Sequence, residues 1–196
     1  MPDKDKPENI ALATLEDELR SRARQQEALA QLGERALAEP DLERLLNDAV
    51  STVALTLAVD FVKILELLPG GGELVLRAGF GWRTDLVGKI LTTTGPNTFA
   101  QFTLNSPAPV TVDYFATETR FEVAPYLKDH NCASGVTVTI AGRDGRAYGI
   151  LGVCTTKKRQ FSAQETAFLA AEMCIRDRAY SRRHPAGRRQ FGPRCG

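Results

Sequence analysis

The spacing of apolar residues divides the chain into helical and extended segments. Residues 10–37 consist mostly of Ala, Leu, Glu, Arg and Gln, a composition that favours a long helix. Leu12, Leu15 and Leu19 begin an apolar stripe on it, but polar residues occupy the same seam further along. A coiled coil and a helix packed on its own domain therefore both remain open. Residues 42–57 carry apolar residues at helical spacing and predict a second, amphipathic helix.

The next two segments have the pattern of strands. Residues 59–68 place apolar side chains on both alternating faces, which is typical of a central strand that is covered on both sides. Residues 69–72 form a Pro-Gly-Gly-Gly turn, and the following residues 73–80 alternate in polarity. Strict alternation would put Leu76 and Ala78 on one face of that strand. Together the two segments predict a β-hairpin.

The remainder predicts short elements, a second hairpin and a final helix. Asp144-Gly145 is a strong hairpin-turn signal between strands at 134–141 and 148–155. Ser162 and Glu165 have the spacing of a capping box at the start of the last helix. Residues 81–108 are irregular apart from a short helix predicted at 98–104. A short strand is predicted at 109–112 and another short helix at 125–130. Antiparallel strands with helices at both ends indicate an α+β fold.

Composition and charge narrow the class of protein. The chain has 43% hydrophobic and 25% charged residues and a formal net charge of +1. Residues 173–196 hold seven Arg and one Asp, a charge of +6, so residues 1–172 carry +1 minus +6, or −5. A mildly acidic body argues against a nucleic-acid partner. There is no apolar run long enough to span a bilayer, no signal-peptide pattern, and only four scattered cysteines, so we expect a cytoplasmic protein.

Both ends of the chain depart from the domain pattern. Residues 1–9 are charged and contain proline, which predicts disorder. After residue 172 the helical pattern stops, and residues 173–178, MCIRDR, resemble a translated sequencing-library adaptor. We therefore expect residues 173–196 to be an artefactual or disordered basic tail rather than a nucleic-acid-binding arm.

Three stretches together resemble a GAF domain, a small-molecule sensory module of bacterial signalling proteins. They are DLERLLNDAVSTVALTLAVDFVKILELLPGGGELVLRAGFGW, VTVDYFATETRF and SGVTVTIAGRDGRAYGILGVCTTKKRQFSAQETAFLAA. The likeness extends over residues 25–172. It implies an antiparallel sheet of about five to six strands flanked by helices, with a long N-terminal helix at 10–37 for signalling and dimerisation.

The resemblance also implies a function. GAF domains of this type serve as sensors, commonly in histidine kinases of two-component systems. They dimerise through their terminal helices and pass a signal to an output domain, which we expect to lie beyond this fragment. The implied partners are an unknown small molecule and a second copy of the chain. We expect no catalysis, cofactor, metal or membrane contact in this fragment.

The ligand cavity of such a domain lies under the loops that follow the middle strands. The candidate lining combines aromatic rings with a few polar groups, as small-molecule pockets do. The alternative is that the rings fill the core and the domain acts as a scaffold without a ligand. Arg120 is also expected to pair with Asp113 or Glu122 and hold its loop. The candidate residues are Trp82, Phe99, Phe102, Asp113, Tyr114, Phe115, Arg120, Phe121, Tyr126, His130 and Cys132.

Three other chemistries are possible for the same region. Bilin-binding relatives attach chromophore through Cys followed directly by His, whereas here the order is His130-Asn131-Cys132. A lone histidine could ligate haem iron, but by itself gives weak support for it. The second functional class is a thiol enzyme similar to free methionine sulfoxide reductase, which would need Cys132 and Cys154 within disulfide distance.

Overall fold

The computed structural model describes residues 7–38, 41–142 and 146–171. The helices and strands, in chain order, are α1 (Pro7–Ala38), α2 (Leu42–Leu57), β1 (Phe61–Leu67), β2 (Glu73–Phe80), β3 (Ile90–Thr93), α3 (Phe99–Leu104), β4 (Val110–Val112), α4 (Pro125–Asp129), β5 (Ser134–Ala141), β6 (Ala147–Thr155) and α5 (163–171). Short 3-10 turns lie at Thr84–Leu86 and Phe115–Thr117.

The strands form one antiparallel sheet in the order β3-β2-β1-β6-β5-β4. The α+β prediction, with about five to six strands flanked by helices and a long N-terminal helix, is confirmed. Strand β3 lies in the segment predicted as irregular. It is a four-residue edge strand with no fully buried residue, so its sequence lacks the apolar alternation of an internal strand.

The sheet separates two apolar layers. On one face, here called the helix side, α2, part of α1 and α5 cover the sheet through residues such as Val53, Leu57 and Phe168. The opposite face, here called the roof side, is covered by the loops and short helices between β2 and β5. No helix in the described part of the chain is long and apolar enough to cross a membrane.

A bulge in β2 corrects the predicted alternation of that strand. Ile64 of β1 pairs with Ala78 and Leu65 pairs with Leu76, which leaves Arg77 as the extra residue. Ala78 therefore packs on the helix side and Leu76 on the roof side. An inserted residue reverses the faces of all residues beyond it.

The predicted capping box at α5 is confirmed. The Ser162 amide donates to Glu165 Oε2 at 2.8 Å, and the Glu165 amide donates to Ser162 Oγ at 3.2 Å. Helix α1 includes residues 7–9 of the segment predicted as disordered, whereas residues 1–6, the Asp144-Gly145 turn and residues 172–196 lie outside the described residues.

Close contact between two central strands predicts the effect of one substitution. A Cβ on Gly149 of β6 would lie 1.8 Å from the carbonyl oxygen of Leu65. We expect Gly149→Ala to lower the free energy of unfolding by at least about 2 kcal/mol, since backbone must move to relieve the overlap. Gly72→Ala is the control, because its Cβ would meet no atom within 4 Å. Urea denaturation of both variants measures the difference, and equal stabilities would contradict the described β1–β6 packing.

Candidate functional site

A lysine lies in the apolar interior of the roof side. Lys63, in the middle of β1, is 1% exposed and is among the largest fully buried side chains of the described residues. Its Nζ lies 3.8 Å from Cys154 Sγ on β6, and no salt bridge joins it to a carboxylate within the described ranges. A buried ammonium is strongly destabilised unless nearby groups compensate its charge. The groups around Lys63 therefore define a candidate site.

The sheet makes room for this side chain through Gly152. Lys63 pairs with Gly152 across the β1–β6 ladder, and a Cβ on that glycine would lie 2.8 Å from Lys63 Cε. The absence of a side chain at position 152 lets the lysine stem lie against β6. As a result the ammonium reaches Cys154, two residues further along the same strand.

Two aromatic rings cover the ammonium. Its Nζ lies 5.3 Å from the ring centroid of Trp82 and 4.8 Å from that of Tyr126, distances at which ring quadrupoles attract a cation. Trp82 is fixed by a 2.9 Å hydrogen bond from its Nε1 to the Val62 carbonyl. We call Lys63, Cys132, Cys154, Trp82 and Tyr126 the lysine–thiol cluster.

The two thiols of the cluster differ in ionisation. The Cys132 thiol hydrogen-bonds the Cys154 sulfur, and this bond, assisted by the Lys63 ammonium, lowers the pKa of Cys154 to about 7 although burial opposes the change. The same hydrogen bond and burial raise the pKa of Cys132. Burial lowers the pKa of Lys63, but the Cys154 sulfur and Tyr126 outweigh it and raise that pKa. The cluster therefore favours an ammonium–thiolate pair beside a neutral thiol.

His130 lies next to the cluster with one ring nitrogen unused. Its Nδ1 is 2.8 Å from the Tyr126 carbonyl oxygen, and because a carbonyl only accepts, Nδ1 carries the proton. Its Nε2 is buried and has no hydrogen-bond partner among the described residues. The ring packs edge-on against Trp82 and Phe61, with centroids 4.8 and 5.6 Å apart. The contacts of His130 are thus the Tyr126 carbonyl and the aromatic rings beside the cluster.

The predicted pocket residues lie in several separate places. Most of the rings pack against one another in the roof-side core, for example Phe99 stacked on Phe121 with centroids 4.4 Å apart. Phe102 and Arg120 instead line a surface pocket of about 350 Å³ beside α3. The other residues lining that pocket are Asn97, Thr98, Gln101, Asn105 and Ser106. The predicted residues in the core are Trp82, Phe99, Phe115, Phe121, Tyr126 and Cys132.

The ion-pair partner of Arg120 differs from the prediction. Its guanidinium forms a bidentate ion pair with the Glu118 carboxylate, with Nη2 to Oε2 at 2.6 Å and Nε to Oε1 at 3.0 Å. Its Nη2 also donates to the Thr111 carbonyl. This contact holds the pKa of Glu118 at about 2. Asp113 instead accepts a 3.0 Å bond from Gln160. Glu118 is favoured because its Oε1 also accepts a 2.8 Å bond from the Arg120 amide, so the backbone and the side chain of Arg120 hold the same carboxylate.

Tyr114 and Asp113 lie apart from the lysine–thiol cluster. The Tyr114 ring is 38% exposed and packs under the Lys158 ammonium, 5.3 Å from the ring centroid. With Asp113 it joins the loop after β4 to the segment before α5. Both residues therefore connect the roof side to the segment before the terminal helix.

The described residues contain no group of three His, Cys, Asp or Glu side chains that could hold a metal ion.

The sequence prediction missed Lys63, the central residue of the cluster. A signal for it was present, because a charged residue stood inside the predicted two-sided buried strand VDFVKILELL. Such a charge must find a partner across the sheet. The sequence could not identify that partner, since Cys154 is 91 residues away.

Comparison with known proteins establishes the family. A family model described as the GAF domain matches residues 41–175. The chain belongs to the GAF family. No curated protein matches the sequence.

Solved structures of GAF domains share the fold. The GAF domain of a phosphoenolpyruvate-protein phosphotransferase from Coxiella burnetii is 21% identical, with a TM-score of 0.71, covering 83% of this chain and 96% of that one. A phycocyanobilin-bound GAF domain from a cyanobacterial phytochrome is 18% identical, with a TM-score of 0.67 and coverages of 82% and 96%. The free methionine-R-sulfoxide reductase from Neisseria meningitidis is 18% identical, with a TM-score of 0.64 and coverages of 82% and 90%. At these identities the likeness establishes the fold alone.

The ammonium–thiolate pair predicts a specific pH dependence. The pKa of Cys154 lies near 7 in the folded protein and near 9.0 ordinarily, so between these values the unfolded chain binds more protons. We therefore expect the stability of the wild type to rise from pH 7 to pH 9 relative to Cys154→Ser, and to lose this contribution as the pH falls through 7. Ultraviolet thiolate absorbance should show a step near pH 7 that the variant lacks. Identical titrations for the two proteins would contradict the pairing.

Proposed function

We propose that this GAF domain is the sensory part of a signal-transduction protein and relays its signal through a helical homodimer. The observation that carries the proposal is the apolar stripe on α1. Leu12, Leu15 and Leu19 are 56%, 52% and 55% exposed, although leucines on a helix usually pack against a partner. At 3.6 residues per turn, this stripe faces about two-fifths of a turn away from Ala28 and Leu32, which pack against the domain.

The position of α1 supports relay as well as dimerisation. The Arg22 Nε donates to Gln164 Oε1 at 3.3 Å, which joins α1 to the beginning of α5. Ala28 of α1, Val53 of α2 and Leu169 of α5 belong to one buried cluster on the helix side. A shift of α1 in a dimer therefore changes contacts with both helices, and this is the kind of two-state element that a ligand can bias.

The surface pocket beside α3 supplies a place for a small molecule. Its lining combines the exposed edge of Phe102, amide side chains such as Asn105, and the Arg120 guanidinium above the Phe102 and Phe121 rings. This mixture of one apolar face and several hydrogen-bonding groups suits a small polar ligand. The output domain in this proposal is a histidine kinase. The free thiols Cys132 and Cys154 support a reducing, cytoplasmic location.

Charge on the apolar stripe should separate the dimer. We expect the wild type to sediment as a dimer, and the Leu15→Glu/Leu19→Glu variant to sediment as a monomer, because four carboxylates would face one another in the seam. Leu55→Glu is the matched control, since Leu55 is 77% exposed on α2 and lies off the stripe. Analytical ultracentrifugation across a concentration series measures the change. A wild type that remains monomeric throughout the series would refute relay through α1.

A thiol reductase is the second candidate function, and the presence of two free thiols, Cys132 and Cys154, in one buried cluster favours it. Two thiols can reduce one sulfoxide, giving a thioether, a disulfide and water. The shared fold with the Neisseria meningitidis reductase adds support for the substrate class. The surroundings of the thiols weigh against this function, because Cys154 is fully buried and its sulfur faces Lys63.

A turnover assay distinguishes the two functions. We expect the 196-residue chain to form no methionine from free methionine-R-sulfoxide with dithiothreitol as reductant, because the buried thiols leave no room for an amino-acid substrate. Chromatographic measurement of methionine provides the readout. Turnover that disappears in Cys132→Ser would instead establish the reductase.

A further inference from the structure

The lysine–thiol cluster has the parts of an oxidation site. Cys132 and Cys154 belong to one buried cluster, and the 2.7 Å hydrogen bond from the Ala133 amide to the Thr155 carbonyl joins the residues that follow them in the chain. The Lys63 ammonium lies 3.8 Å from Cys154 Sγ. A cation at this distance stabilises the thiolate, and the thiolate is the form that reacts with oxidants. The second thiol is already in place to resolve the product.

We propose that Cys132 and Cys154 are a modification site for hydrogen peroxide, which converts them into a disulfide. The Cys154 thiolate attacks one peroxide oxygen, so the O–O bond breaks, hydroxide leaves, and Cys154 becomes a sulfenic acid. The Cys132 thiol gives its proton to that hydroxide, which forms water, and the Cys132 sulfur then attacks the Cys154 sulfur, so that the S–O bond breaks and the sulfenic oxygen leaves as hydroxide. In sum, one thiol, one thiolate and one peroxide give one disulfide, one water and one hydroxide.

Burial selects the class of oxidant. Cys154 has no exposed surface and Cys132 is 9% exposed, so the sulfur pair opens to solvent only at the Cys132 end. Trp82 and Tyr126 close the side above Lys63. Hydrogen peroxide is close to water in size and can enter through small fluctuations, whereas glutathione disulfide would require the roof to unfold. The site is therefore specific for small peroxides.

Oxidation changes the electrostatics of the sheet interior. A disulfide carries no charge, so Lys63 loses its thiolate partner and keeps only the aromatic rings. A buried ammonium without a counter-charge has to lose its proton or move. Because Val62 and Ile64 flank Lys63 and pack on the helix side, this change occurs one residue away from the layer that holds the terminal helices.

Peroxide titration of the full chain tests the proposal. The protein carries Cys174→Ser and Cys195→Ser so that only the two interior thiols react. One equivalent of hydrogen peroxide should remove both thiols, and peptide mass mapping should find Cys132 linked to Cys154. The same concentration of glutathione disulfide should leave both reduced. Sulfinic acid on either cysteine without a cross-link, or equal reaction with glutathione disulfide, would overturn the proposal.

Two lysine variants test the role of the ammonium. Lys63→Met should form the disulfide at least about tenfold more slowly near neutral pH, because Cys154 then remains protonated. Lys89→Met is the control, since Lys89 is exposed and pairs with Asp85. Equal rates for Lys63→Met and Lys89→Met would remove Lys63 from the proposal. If Lys63→Met does not fold, the cross-link in the protein with Lys63 intact still decides whether the site exists. The disulfide lies within one chain and can form in a monomer or a dimer. Its outcome is therefore separate from that of relay through α1.

Discussion

A single buried charge organises the roof side of this domain. The Lys63 ammonium lies in the middle of the central strand pair, where transfer from water is strongly unfavourable without compensation. Compensation comes from the Cys154 sulfur, the faces of Trp82 and Tyr126, and the missing side chain at Gly152 that lets the lysine reach them. Replacement of any of these groups would leave the charge less well satisfied, so the cluster behaves as a unit.

The opposite face of the sheet has a different character. Residues that alternate with Lys63 along β1, Val62 and Ile64, pack into an apolar layer with the terminal helices. A strand is one residue thick, so events at the roof and at the helices share the same backbone. This arrangement gives a physical route from a change near Lys63 or the roof loops to α1 and α5. The link between Arg22 and Gln164 joins those two helices directly.

Part of the candidate site followed from the residue pattern. The aromatic residues of the middle segment were expected in the region of the roof, and most of them lie in its core, with Phe102 and Arg120 at a surface pocket instead. Their packing could not be predicted, because composition does not distinguish rings that line a cavity from rings that fill it. The predicted ion-pair partner of Arg120 was wrong for a related reason. Several acidic residues lie close in sequence, and the path of the loop selects Glu118.

The sequence alone determined the order and type of most elements, since helical and alternating periods, turn residues and the Ser162–Glu165 cap act over a few residues. It also determined the family, through the order of three motifs. Tertiary structure decided whatever depends on register between distant segments. The bulge at Arg77 moved Ala78 to the other face, the edge strand β3 formed by pairing with β2, and the β1–β6 register placed Lys63 beside Cys154. Local patterns carry no information about such pairings, because register is set by the packing of both faces of the sheet at once.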